Sequence, residues 1–174
     1  MAGSPSRDVT GQPVLSVDVT AALSGLDRVR AMCDGKLEIA PMLRLMNVGL
    51  IAVEDGLVVV NARPEPRHYN PRGSVHGAFT AAVLDTAMGL SVLTKLPART
   101  SQTTLELKLN FVRPMLARTG EVRGEGRVIH AGRNIATADG RLLDAGGRII
   151  AHGSTTCMIF PEAQPWGRSE IEPR

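Results

Sequence analysis

The chain has 174 residues, 43% of them hydrophobic, which suits one domain with a substantial core and leaves little room for two. Twenty Lys and Arg stand against 17 Asp and Glu, a net charge of +3, and aromatics make up 3%. So even a balance with so few rings argues against nucleic acid as a partner, and leaves enough Arg and Lys to hold a small anion.

Residues 1–16 are rich in Gly, Ser and Pro and read as a loose tail, as do residues 161–174. The N-terminus has no apolar run of the kind a secretory signal needs, and Asp85 interrupts the longest apolar stretch, so neither export nor a membrane partner is expected. A cytoplasmic location is the default. Residues 17–40 predict an N-terminal helical extension, because Val19, Leu23, Leu26, Val29 and Met32 recur at spacings of three and four and Gly35 supplies a stop. Cys33 and Cys157 lie far apart, without a CxxC or His partners at metal spacing. They read as thiols, not as a disulfide or metal ligands.

Residues 41–160 carry the main domain. After Pro41, "NVGLIAVEDGLVVVNARP" is two β-rich runs around Asp55-Gly56, a hairpin signal. From Gly77 to Leu93 the residues favour a helix with no exposed polar face, and so one buried on most sides. "TTLELKLNFVRP" then alternates Leu105, Leu107, Leu109 and Phe111 against Glu106, Lys108 and Asn110 as a half-buried strand. "EVRGEGRVIH" sets Val122, Gly124, Gly126 and Val128 on one face. "NIATADGRLLD" and "RIIAHGSTTCMIF" follow, joined through Ala145-Gly146-Gly147. Ala136, Ala138 and Gly140 are small enough to let a helix approach. The expected fold class is α+β, with one long helix wrapped by one curved antiparallel sheet.

Between Ser74 and Thr94 the only ionisable side chains are His76 and Asp85. An unpaired charge in apolar surroundings costs several kcal/mol, so Asp85 is paired, protonated or open to a cavity. It is either a satisfied core carboxylate or a functional one. At the helix start, "NPRGSVHGA" places Gly73 and Gly77 around Ser74, a candidate N-cap, with His76 in the first turn. Unpartnered N–H groups there can hold an anion or an oxyanion. Gly77 and Asp85 are eight residues apart, about 12 Å along one helix, too far to flank one carbonyl. If both serve one site, the second comes from another copy packed across a two-fold, and the assembly is a homodimer with two equivalent sites.

Asn70, Gly73, His76-Gly77 and Asp85, set between a hairpin and four strands, resemble the hotdog-fold acyl-CoA thioesterases, most closely the PaaI-like family named for phenylacetic acid degradation. The likeness spans roughly residues 47–160. It implies a hotdog domain, dimers that join their sheets, frequent dimers of dimers, and an acyl-CoA substrate hydrolysed at the dimer interface. By resemblance, the Gly77 N–H polarises the thioester carbonyl, while the partner chain's Asp85 is nucleophile or general base. Asn70 and His76 position the water or reacting group, and the Thr104 hydroxyl orients the water. Such chemistry implies no metal and no cofactor beyond the coenzyme A of the substrate. Its phosphates need a cation, and Arg133 in the turn "HAGRN" is the candidate.

Relatives often read His-Gly-Gly where this chain has Ala78, whose methyl bears on the width of the acyl or pantetheine path. Phe79, Val83 and Met88 are candidate pocket walls. His68, His130 and His152 receive no role. Two other functions fit the fold: a non-catalytic acyl-CoA-binding module, which has no need of Asp85, and an enoyl-CoA hydratase, for which no separate motif is present.

Overall fold

A computed structural model describes residues 20–162, so the tail expected over 1–16, and 163–174 of the tail at the other end, lie outside the described residues. The elements in order are α1 (Gly25–Cys33), α2 (Pro41–Leu45), β1 (Val48–Glu54), β2 (Leu57–Ala62), α3 (Gly77–Thr94), β3 (Thr100–Phe111), β4 (Val122–Ala131), β5 (Ile135–Leu143) and β6 (Ile149–Pro161), with 3₁₀ turns at Pro66–His68 and Ala117–Thr119. The six strands form one antiparallel sheet ordered β1-β2-β4-β5-β6-β3. After the hairpin, α3 carries the chain across the sheet to its far edge. There β3 is laid down, and β4 returns beside β2, so β3 meets β6 and not its sequence neighbour β4.

The helix fits the sheet because β4 carries glycines where the two come closest. A Cβ on Gly126 would lie 2.3 Å from the backbone of Ala87, and one on Gly124 2.9 Å from Val83. At Gly126 backbone meets backbone and at Gly124 a valine side chain meets backbone, approaches that glycine permits. Val83, Leu84, Ala87, Met88 and Val92 are fully buried, the all-round apolar helix that the sequence predicts. By length and mean hydropathy (1.4 over 18 residues) α3 also qualifies as a membrane span despite Asp85, contrary to expectation. What decides otherwise is its packing: this is the core helix of the sheet.

Several boundaries differ from the sequence reading. The helical extension is broken: Thr20 and Ala21 are helical, then Leu23 bends, and the Ser24 side chain caps α1 by accepting from Asp27 N–H at 3.1 Å. The break follows from docking onto the end of α3, where Gly25 N–H donates to Leu96 O at 2.9 Å and a Cβ on Gly25 would meet Leu93 O at 1.8 Å. Buried Arg28 fastens α1 to the strand ends through Glu162 (2.9 Å) and Thr100 O (2.6 Å). Between Pro41 and the β-rich runs lies a short helix absent from the sequence reading: Pro41 opens α2 at its first position, where its missing N–H costs nothing. In β3 a bulge between Thr104 and Glu106 throws Leu105 outward, 56% exposed, so it does not join Leu107 and Leu109 on the inner face.

Candidate active site

The loop before α3 is built to hold its first turn in place. Asn70 Oδ1 accepts from the N–H groups of Arg72 (2.9 Å) and Ser74 (3.4 Å), and its Nδ2 donates to Ser74 Oγ (3.0 Å). Gly73 turns the chain at φ +79°, a conformation that needs glycine. Beyond it, His76 N–H donates to His68 O (2.7 Å) and Val75 N–H to Met115 O (2.8 Å), pinning the loop to both flanks. Asn70, expected at the reacting group, thus spends most of its amide shaping this loop. Ser74, the expected N-cap, is a partner of Asn70. The cap is His76, whose Nδ1 accepts from Ala78 N–H at 3.0 Å.

That cap leaves one donor over. Gly77 is the first helical residue, and among the described residues no acceptor takes its N–H. It opens on a groove of about 280 Å³ lined by Val75, Gly77, Thr80, Phe111, Arg113 and Met115, among others. The Phe111 ring is 59% exposed and would lie 3.3 Å from a Cβ on Gly77. A side chain at 77 would therefore crowd the groove. Phe111 stays on the face of Leu107 and Leu109, as the alternation predicts, and is exposed because it stands at the strand end, over the helix start. The wall residues suggested from sequence do not line this groove: Phe79, Val83 and Met88 are core, between 0% and 3% exposed. Nor does Ala78, which is exposed.

Asp85 lies two turns on, half-buried, where α3 faces β3. Its Oδ1 accepts from Thr104 Oγ at 2.8 Å, and no described residue occupies Oδ2. Thr104 and Asp85 are thus brought together within one chain. Cys157 stands opposite Thr104 in β6, fully buried, and burial pushes its thiol above the usual range, with the Asp85 charge adding to the effect. A thiol so placed is poorly nucleophilic. Both cysteines are free. Arg133 is exposed in the β4–β5 turn, three residues before Ala136, which pairs with Cys157 in the row that holds Thr104.

One chain therefore holds two separate groups: an N–H at Gly77, unpartnered among the described residues, beside a groove, and a hydrogen-bonded carboxylate at Asp85 with one oxygen that no described residue takes. The helix spacing of about 12 Å keeps them apart. Both groups lie along β3, an edge strand of 12 residues paired only on its β6 side.

Comparison with known proteins supplies the family. Residues 72–151 match the family model described as the thioesterase superfamily. A candidate esterase of Saccharolobus solfataricus is 32% identical over 111 residues, covering 63% of this chain and 76% of that protein. Among solved structures, a candidate thioesterase of Ralstonia eutropha, described as related to phenylacetic acid degradation, is 29% identical with a TM-score of 0.68, covering 74% of this chain and 97% of its own. The PaaI protein of the E. coli phenylacetic acid degradation operon has the same TM-score at 16% identity, over 83% of this chain and 96% of its own, and so shares the fold. Helix, strand order and sequence together show that this chain belongs to the thioesterase superfamily, as a hotdog-fold thioester hydrolase.

Proposed function

We propose that the protein hydrolyses acyl-CoA thioesters at two equivalent sites, each made from the Gly77 groove of one protomer and the Asp85–Thr104 pair of its partner. The observation that carries this reading is the separation of the two half-sites along one unpaired edge strand. An edge of 12 residues, with Leu105, Phe111 and Val112 exposed at 56%, 59% and 49%, is a surface that strand pairing would cover. Antiparallel pairing of β3 with a second β3, centred between Leu107 and Lys108, would set Thr104 of one copy opposite Phe111 of the other. Each Gly77 N–H would then face the partner's carboxylate.

In such a site the thioester carbonyl oxygen takes the Gly77 N–H, which strengthens as charge builds in the tetrahedral state. The open oxygen of Asp85 either removes a proton from water as the water adds, or itself adds to the carbonyl to give an anhydride that water then cleaves. In both routes the C–S bond breaks, coenzyme A leaves as the thiol and the acid is released. Thr104, donating to the other oxygen, fixes the carboxylate's direction. His76 acts through Ala78 to hold the helix start, and Arg133 is the candidate for the coenzyme A phosphates. No step calls for a metal or a further cofactor. A cytoplasmic setting and a dimer of dimers complete the proposal.

The test is thiol release from a panel of aliphatic and aromatic acyl-CoAs. Asp85→Asn keeps an acceptor for Thr104 and so the fold, and is expected to lower turnover by about 10³-fold. An Asp85→Asn protein that unfolds, or that retains full turnover, would make Asp85 a structural carboxylate; acyl-CoA bound by the wild type without thiol release would favour the binding module.

A further inference from the structure

Four hydroxyl-bearing residues lie on α3, and three of them turn back on their own helix. Thr86 Oγ donates to Ala82 O (2.7 Å), Ser91 Oγ to Met88 O (2.7 Å) and Thr94 Oγ to Ser91 O (2.6 Å). This is the usual way for a helical hydroxyl in an apolar core to avoid an unmade hydrogen bond. Thr80 is the exception. It is 4% exposed, forms no hydrogen bond with any described residue, and lines the groove beside Gly77, with its Oγ not sealed off from that space.

Its position makes the open hydroxyl useful. Thr80 is three residues beyond Gly77, about 4.5 Å along the axis and on a neighbouring face. Side chains on a helix lean toward its N-terminus, so the hydroxyl reaches back toward the level of the Gly77 N–H. Val75, Phe111 and Met115 wall the same groove with apolar surface, where a hydrogen bond is stronger than in water. We infer that the Thr80 hydroxyl is a second donor to the thioester carbonyl oxygen, completing with the Gly77 N–H a two-donor site for the oxyanion. This rests on the proposed thioesterase reading and adds to it a residue that acts on the transition state. As the carbonyl carbon becomes tetrahedral, its oxygen gains charge and can accept from both donors, whereas the ground-state carbonyl needs only one.

The test is steady-state kinetics of Thr80→Val and Thr80→Ser on the acyl-CoA the wild type hydrolyses fastest, with melting curves for each. Valine has the same shape and no hydroxyl. The expected result is a fall in kcat of about 100-fold with KM unchanged, no loss of melting temperature because no protein hydrogen bond is removed, and recovery of most of the activity in the serine variant. Wild-type turnover in Thr80→Val, or a loss confined to KM or to stability, would overturn the inference while leaving the thioesterase reading in place. Absence of thiol release by the wild type itself would overturn both.

Discussion

From Gly77 to Asp85, α3 carries an N–H, a hydroxyl and a carboxylate oxygen that no described residue satisfies; from Ala87 to Thr94 every hydroxyl is bound, and Ala87 and Met88 are pressed against glycines of the sheet. The composition of the two halves is alike, so the difference comes from what lies beneath and beside them. The second half rests on Gly126 and Gly140, and Thr94 Oγ even accepts Gly56 N–H at 2.8 Å, which ties the helix end to the β1–β2 turn. The first half emerges beside an edge strand and a pinned loop. Unmade hydrogen bonds are tolerable there because a substrate or a second copy can make them.

Substitutions in the two halves should therefore fail differently. The largest effect belongs to the first half: Asp85→Asn, at about 10³-fold in turnover with an unchanged melting temperature, is a loss of chemistry without a loss of structure. Gly126→Ala is its counterpart under the second half. Its new methyl would sit 2.3 Å from the Ala87 backbone, which cannot move without lifting the helix off the sheet. A destabilisation of about 3 kcal/mol is expected in urea unfolding, while kcat per folded protein stays near wild type. Equal losses of activity and stability in both variants would erase the distinction.

A smaller effect sharpens the account of the loop. His68 packs, tilted, on Phe79 with ring centroids 4.6 Å apart, its Nδ1 accepts from Glu65 N–H at 2.9 Å, and its Nε2 is buried without a partner among the described residues. Burial, with nearby Arg67 adding to it, holds its pKa below the usual 6.5. The unfolded chain then binds the proton more readily, so this contribution to stability is complete above pH 6.5 and is lost as pH falls through and below that value. His68→Asn keeps an acceptor for Glu65 and removes the titration. Its melting temperature, lower throughout, is expected to fall less than the wild type's between pH 7 and pH 5. A parallel fall would assign the acid sensitivity to other groups.

Much of this was legible in the sequence, for physical reasons that also mark where legibility ended. Asp55-Gly56, the alternation of β4 and the all-apolar run of α3 are local patterns, and each element formed where its pattern lay. Asp85 and Gly77 stood out because a charge inside an apolar helix and a glycine at its start are costly unless used. Strand order was not legible, because the pairing of β3 with β6 depends on where α3 delivers the chain. The Leu105 bulge, the break at Ser24 and the cap at His76 are likewise set by tertiary contacts. Thr80 was invisible for a different reason: in sequence it is a helical threonine like Thr86, and only the direction of its hydroxyl sets it apart.

The central claim is that each site is shared between two chains, and subunit complementation tests it most directly. Gly77→Pro removes the N–H at a first helical position where proline is tolerated, and His76 already has the extended backbone, at ψ 139°, that precedes a proline. Gly77→Pro and Asp85→Asn, each expected to be inactive as a homodimer, would be co-expressed with different tags and the mixed dimer purified. If sites are shared, one site of the mixed dimer carries both lesions and the other carries neither. The account predicts recovery to about half the wild-type turnover per dimer. A mixed dimer as inactive as its parents would place each complete site within one chain and contradict the account.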